Sequence, residues 1–295
     1  MTTRGSHRLE PDRHTTSEVC ERELRALALN AKAEYLTTGM FERVLFPSRR
    51  RAQRRLRVLL DHGLVRAHLQ GEALHREQVY TVTTRGFERL HEEGLLPAIP
   101  KYPVRLPRPQ RLAHALLLRA VFIECVAAVE ENVIERVEVR FDDELASLPI
   151  YQAARLVPDA LLFLTRGTVT MRVGVEVDRG TETTTTLREK FRRWKALLGA
   201  AEEVGAVLPT LILAVVEGDR RRATVERLAG EVLPATSIRI VRLSEMEALL
   251  DSGWPHGGAA GGHRAGAPQA TVFRPVAEAP TTTFRALAAP PRREP

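Results

Sequence analysis

The chain has 295 residues, of which 44% are apolar and 5% aromatic, so it is long enough for two domains with mainly aliphatic cores. Lysine and arginine outnumber aspartate and glutamate by 44 to 37, and a net charge of +7 is compatible with a polyanionic partner. The two cysteines, Cys20 and Cys125, lie far apart and form no CxxC pair, which argues against a disulfide framework or a zinc site.

Hydropathy indicates a soluble, cytoplasmic protein with no membrane partner. Residues 1–17 are polar and lack the apolar stretch of a secretory signal. The most apolar run, LLLRAVFIECVAAV, contains Arg119 and Glu124, so we expect no segment that spans a bilayer.

Changes in composition divide the chain into five segments. A Pro-rich stretch, LPAIPKYPVRLPRPQ, separates two regions with periodic apolar residues, and the C-terminal residues are rich in Gly, Ala, Pro and Thr. We predict a disordered N-terminus (1–17), a winged helix-turn-helix (18–96), a linker (97–110), an α/β domain (111–251) and a disordered tail (252–295).

The first region reads as three helices, a β-hairpin and one more helix. Ser17 is the predicted N-cap of the first helix, which carries Cys20, Leu24 and Leu27 on one face. A short helix is predicted around 38–45, and Ser48 begins a third that ends at Gly63. The predicted inner face of that helix consists of Ala52, Leu56, Leu59 and Leu60. This is the order of a winged helix-turn-helix, whose third helix fits the major groove of B-DNA.

The third helix carries a dense group of arginines. Six occur within nine residues without an acidic residue among them, which suits a helix that approaches phosphates. With one arginine from the hairpin turn, the predicted DNA-binding residues are Arg49, Arg50, Arg51, Arg54, Arg55, Arg57 and Arg76. The alternative is a solvated basic helix in a winged domain that binds protein.

The second region alternates helices and strands in the order αβββαβαβ, which predicts an α/β (α+β) domain with a mixed sheet. Within it, the third strand ends in GVEVD, where alternation places Glu176 and Asp178 on one face. Asp159 begins the preceding strand, so a short hairpin turn would bring it beside Glu176. Two such carboxylates can share a Mg²⁺ ion.

This layout resembles the PD-(D/E)XK nuclease fold, with Pro158-Asp159 on one strand and Glu176 on the next. The resemblance implies a catalytic lysine at position 178, where this chain has Asp178. Lys190, on the following helix, can reach back in its place. Glu124, on the first helix of the domain, matches a position where the fold often supplies a further carboxylate. The candidate catalytic residues are therefore Asp159, Glu176, Lys190, Glu124 and Asp178, with Asp159 and Glu176 as metal ligands.

From about residue 20 to 250, the chain also resembles the replication-relaxation family of bacterial plasmid and mobile-element proteins. The resemblance lies in the order of a winged helix, a Pro-rich break, His114 on a long helix, and then PDA and EVDRGTET. Its strongest part is EVDRGTET with the lysine-bearing helix after it. It implies a role in plasmid replication, DNA relaxation or mobilisation through binding of double-stranded DNA. Replication or mobilisation proteins are the expected partners, and a homodimer remains open.

Several alternatives stay open for individual residues. Glu176 and Asp178 can instead pair with Arg172, Arg179 or Arg188, because buried carboxylates normally have partners. His114 is interpreted as an interior or capping histidine, with a general base as the alternative. Trp194 is interpreted as a side chain packed on the sheet, with stacking on a flipped base as the alternative.

The sequence thus leaves three functions to separate. The first is a DNA-binding protein of the replication-relaxation type. The second is a Mg²⁺-dependent endonuclease that uses Asp159 and Glu176. The third is a winged-helix regulator or adaptor whose nuclease-like domain is inactive.

Overall fold

The computed structural model describes residues 17–69, 77–96, 105–204, 208–252 and 284–285, and gives no side-chain detail for 109–110, 200–204 and 284–285. Arg76 and most of the predicted linker and tail lie outside these ranges.

The N-terminal half folds around a small antiparallel sheet. Its strands are arranged in the order β1-β3-β2. The three predicted helices and the hairpin are present, and β1 is an additional strand that pairs with β3. The elements are α1 (Glu21–Ala33), β1 (Tyr35–Thr37), α2 (Thr38–Leu45), α3 (Arg49–Asp61), β2 (Val65–Leu69), β3 (Gln78–Val82) and α4 (Thr84–Glu92).

Local capping fixes where these helices begin. Ser48 is the N-cap of α3, and its hydroxyl accepts the Arg51 N–H at 3.4 Å, as predicted. The N-cap of α1 is Cys20 rather than the predicted Ser17, because the side chain of Glu23 accepts the Cys20 N–H at 3.0 Å. The predicted inner face of α3 is buried throughout.

The second half is built on a six-stranded sheet with helices on both faces. In chain order the elements are α5 (Pro109–Glu130), β4 (Arg136–Phe141), α6 (Asp142–Ala146), α7 (Pro149–Ala154), β5 (Ala160–Arg166), β6 (Val169–Asp178), α8 (Thr184–Val204), β7 (Leu211–Val216), α9 (Asp219–Gly230), β8 (Ile238–Val241), α10 (Met246–Asp251) and β9 (Phe284–Arg285).

The sheet has the order β8-β7-β6-β5-β4-β9 and contains both parallel and antiparallel pairs. Strands β4, β5 and β6 are antiparallel neighbours, whereas β6, β7 and β8 run parallel. The predicted α/β class with a mixed sheet is confirmed, and the predicted element order holds with the short helices α6 and α7 added. The strand β9, from the segment expected to be disordered, pairs with β4.

Alternation along β6 decides which residues meet which helices. Val173, Val175 and Val177 belong to the core that also contains the buried side chains of α5. Glu176, on the other face, contacts α8. The sheet therefore separates α5 on one side from α8 and α9 on the other.

Helix α5 joins the two halves of the molecule. Its buried residues share one core with those of α1, α2 and α3. Arg119 of α5 is 4% exposed, donates to the carbonyl of Ala33 at 3.1 Å and pairs with Glu34 at 2.6 Å. At the far end of α5, Glu130 pairs with Arg25 of α1 at 2.6 Å. The predicted domains are thus packed into one body at this helix.

Among the described residues, one helix, α5, is long and apolar enough to cross a membrane. The segment is Arg111–Glu130, and 67% of its most apolar window is buried inside the protein. Arg119 does not prevent burial, because Glu34 neutralises its charge. Burial on this scale is what the core helix of a soluble protein shows.

Candidate functional site

The predicted pair Asp159 and Glu176 lies at one end of the strands β5 and β6. Ala160 pairs with Val175, so the next positions along the two strands, 159 and 176, oppose each other. Asp159 is tied to β6 through its backbone N–H, which donates to Val175 O at 3.1 Å. Its Oδ2 atom accepts the Val177 N–H at 2.7 Å. Because Asp159 precedes β5, its carboxylate sits at the end of the sheet.

His114, near the start of α5, is a side-chain partner of Asp159. Its Nε2 atom lies 3.2 Å from Asp159 Oδ1, and 39% of its side chain is exposed. The hydrogen bond to Asp159 raises the pKa of His114 above its ordinary value. Burial alone would raise the pKa of Asp159, but its bonds to His114 and to the Val177 N–H, with the nearby charges, hold it below its ordinary value.

Glu176 is held by two residues of α8. Trp194 Nε1–H donates to Oε1 at 2.9 Å, and Lys190 Nζ lies 2.6 Å from Oε2. Glu176 is only 5% exposed, and burial raises its pKa to about 7 even though the Lys190 ammonium acts in the opposite direction. Lys190 was predicted to reach this strand from α8, and it does.

Lys190 also lies 3.2 Å from Glu182, so two carboxylates surround its ammonium group. Burial would lower its pKa, but the charges of Glu176, Asp159 and Glu182 raise it instead. Lys190 therefore stays a cation.

We call His114, Asp159, Glu176 and Lys190 the carboxylate cluster. The side chains that pair with Asp159 and Glu176 come from helices on opposite faces of the sheet, and the two carboxylates are neighbours because both lie at its end. Each group influences the others: the charge of Asp159 contributes to the raised pKa of Glu176, and Lys190 acts on both Asp159 and His114.

Two clefts flank the carboxylate cluster. One, of about 580 Å³, lies between the two halves of the molecule and is bordered by Tyr35, Arg105, Arg111, His114, Asp142, Asp143 and Asp159 among others. The second, of about 470 Å³, is bordered by Arg155, Glu182, Lys190 and Arg193 among others. His114 and Asp159 border the first cleft and Lys190 borders the second, whereas the buried Glu176 lies between them and borders neither.

Two predicted catalytic residues have other roles. Asp178 forms a bidentate ion pair with Arg221 of α9, at 2.7 and 3.0 Å, and accepts the Gly180 N–H at 2.8 Å. It anchors the loop before α8, and Arg179 and Arg188, its alternative partners from the sequence, pair with Glu217 and Glu231 instead.

Glu124 is also placed away from the cluster. It stands ten residues after His114 on α5, about 15 Å further along the helix axis. There it accepts a hydrogen bond from Arg43 of α2 at 3.1 Å. The structure therefore does not bring Glu124, the predicted assisting carboxylate, to the cluster, because the helix carries it towards α2.

The predicted metal ligands, Asp159 and Glu176, form a pair of carboxylates and no larger set. In the part of the chain that the structure describes, no three His, Cys, Asp or Glu side chains are grouped so that they could hold a metal ion. Magnesium commonly takes one or two protein carboxylates and completes its shell with water and substrate phosphates. Asp159 Oδ2 and Glu176 Oε1 each accept one hydrogen bond, and Asp159 Oδ1 lies 3.2 Å from His114 Nε2. Glu176 Oε2 is buried 2.6 Å from Lys190 Nζ and accepts no hydrogen bond from the described residues. Lone pairs therefore remain on these oxygens, and the pair fits such an ion.

The arginines of α3 divide into two groups. Arg49 pairs with Glu77 at 2.7 Å, Arg57 pairs with Asp61 at 2.7 Å, and Arg55 pairs with the buried Glu23 of α1. Arg55 was predicted to bind DNA, but it attaches α3 to α1. In contrast, three arginines are exposed and form no ion pair within the described ranges: Arg50, Arg51 and Arg54.

Sequence reasoning did not assign His114 and Trp194 to the site. A signal for Trp194 was present, because Gly174 lies two residues before Glu176 on the same face of β6 and leaves room for a large side chain. For His114, the sequence contained no comparable signal of its contact with Asp159, which is 45 residues away.

Comparisons with known proteins give two matches. A search of curated proteins found no match. Among solved structures, the restriction endonuclease FokI aligns with 81% of this chain and 46% of its own, at 11% identity and a TM-score of 0.27. The chain thus spans less than half of FokI. The family model described as replication-relaxation matches residues 27–210, which is more than half of the chain. The protein belongs to the replication-relaxation family.

Proposed function

We propose that the protein binds double-stranded DNA through α3. The observation that supports this most directly is the exposed group Arg50, Arg51 and Arg54, which forms no ion pair among the described residues. Family membership supports a role in replication or relaxation. We further propose that this role belongs to plasmid or mobile-element replication or mobilisation.

The position of α3 suits insertion into the major groove. It follows α2 after three residues, and its N-cap Ser48 and all three arginines lie in its first two turns. Recognition helices of helix-turn-helix proteins contact DNA mainly through N-terminal residues. The opposite face of α3 is buried, so DNA can contact this helix only through the face that carries the arginines.

The test is binding of the full-length protein to duplex DNA across a salt series. Arg54→Ala should weaken binding and reduce the slope of log K against log salt by about 0.9, as expected for one lost phosphate contact. Arg220→Ala is the matched control, because Arg220 is an exposed residue of α9 that forms no ion pair within the described ranges. Salt-independent binding, or equal effects of the two substitutions, would contradict the proposal.

A second candidate function is metal-dependent cleavage of phosphodiesters, which the carboxylate cluster favours. Asp159 and Glu176 would hold Mg²⁺, and the ion would supply charge stabilisation at the phosphate when bound. Lys190 places a fixed cation next to Glu176 and can orient a water molecule there. His114 holds Asp159 in one orientation.

Cleavage is tested with supercoiled DNA and purified full-length protein. Mg²⁺ or Mn²⁺ should support nicking, EDTA should abolish it, and Asp159→Ala should reduce it at least 100-fold, roughly the loss that follows removal of a group acting directly on the reacting atoms. Asp142→Ala is the control, because Asp142 borders the same cleft as an exposed carboxylate outside the cluster. Nicking that survives Asp159→Ala would come from another enzyme, and the candidate would be rejected.

A further inference from the structure

Trp194 makes an unusually close contact with β6. Its indole is fully buried and lies against the backbone at Gly174. A Cβ atom at Gly174 would stand 2.3 Å from Trp194 Cη2, which is closer than real side chains approach. The absence of a side chain at Gly174 is therefore what lets the indole reach the strand.

This contact brings the indole to Glu176. Gly174 and Glu176 are two residues apart and share one face of β6. Trp194 Nε1–H donates to Glu176 Oε1 at 2.9 Å, while Lys190, one turn earlier on α8, lies 2.6 Å from Oε2. A residue and its neighbour four positions later lie on the same helix face, so α8 holds both oxygens of the carboxylate from one side.

We propose that Trp194 is a positioning residue for Glu176: its N–H fixes the carboxylate so that a lone pair of each oxygen is kept for a divalent cation. This inference rests on the proposed metal-dependent function. It assigns to the indole nitrogen a role beyond packing. Groups that hydrogen-bond a metal ligand orient it and raise affinity for the metal, and their loss typically costs 10- to 100-fold in affinity or activity, roughly.

The alternative is that Trp194 only fills space beneath the strand. The two roles separate when the N–H is removed and the shape is kept. Replacement of Trp194 by β-(3-benzothienyl)alanine does this, because sulfur takes the place of the N–H group in a ring of nearly the same size. The same replacement at Trp254, the other tryptophan of the chain, is the control.

The measurement is Mn²⁺ binding to full-length protein by titration calorimetry. We expect the analogue at position 194 to bind Mn²⁺ about 10-fold more weakly than wild type, and the control to bind equally well. Wild-type affinity in the analogue at position 194 overturns the role of Trp194 alone. If the wild-type protein takes up no Mn²⁺, the proposed metal-dependent function fails, and the inference fails with it.

A second measurement is made on the wild-type protein and then repeated on one variant. The indole N–H of Trp194 has its own resonance in a ¹H–¹⁵N NMR spectrum, and it should shift when Mg²⁺ is added, because Glu176 then shares its charge with the ion. Glu176→Gln should abolish the shift. An indole resonance that ignores Mg²⁺ in a protein shown to bind it would overturn the positioning role.

Discussion

Replacing Gly174 by alanine tests the packing that places Trp194 and Glu176. The added Cβ would meet three atoms of the indole, Cη2 at 2.3 Å, Cζ3 at 3.0 Å and Cζ2 at 3.2 Å. The ring is fully buried and surrounded by the core of α8, so it cannot simply rotate away. Either β6 or α8 must move, or the indole must leave its place.

The expected cost has two parts. Overpacking of a well-packed core costs roughly 1–3 kcal/mol. A displaced indole also loses its hydrogen bond to the Glu176 carboxylate, and bonds to charged groups contribute about 1.5–3 kcal/mol. We therefore expect Gly174→Ala to lower the free energy of unfolding by about 3 kcal/mol or more.

Urea denaturation of the full-length protein measures this loss. Gly199→Ala is the matched control, since Gly199 is inside α8 and a Cβ atom there would meet nothing within 4 Å apart from the backbone of its own helix and its chain neighbours. There alanine should raise stability by roughly 0.5–1 kcal/mol, because it favours the helix. A loss of less than about 1 kcal/mol for Gly174→Ala, well below the overpacking range, would refute the reasoning.

Two further predictions concern ion pairs. Arg55→Ala should lower the free energy of unfolding by about 2 kcal/mol, because it leaves the buried Glu23 without its guanidinium partner. The control Arg54→Ala should change the free energy of unfolding by less than about 0.5 kcal/mol. Denaturant titration measures both variants, and equal losses would contradict the role of Arg55. In an NMR titration, the pKa of His114 should lie above its ordinary value, and Asp159→Asn should lower that pKa. Protonated His114 then stabilises the fold fully at pH values below its ordinary pKa. This stabilisation is lost as the pH rises through the raised pKa of the folded protein. A His114 pKa that Asp159→Asn leaves unchanged would count against the contact.

Helices and strands were predicted well from the sequence where an apolar pattern repeats over many residues. Strand β6 spans Val169–Asp178, the range expected from its alternation, and the buried face of α3 follows from its 3.6-residue repeat. Three short elements, β1, α6 and α7, were not predicted, because a few residues do not define a period. Strand β1, of three residues, forms only because β3 offers it an edge.

The site was predicted in part, for a related reason. Alternation and hairpin pairing bring Asp159 opposite Glu176, and these relations are local in the sequence. Partners from distant elements were not predictable: Asp178 meets Arg221, and Arg55 meets Glu23. Hydrophobic periodicity predicts which face of a helix points inwards, but it does not predict which charged residue of another element contacts that face.

The shared core around α5 has a consequence for how the protein can be divided. Separation of the chain between residues 96 and 105 would leave the apolar sides of α1, α2 and α3 without the helix that covers them. Neither half should be folded and soluble when it is produced alone. When both halves are produced together in one cell, they should associate and form the complete fold. The affinity between two such fragments would then measure how strongly α1, α2 and α3 pack against α5.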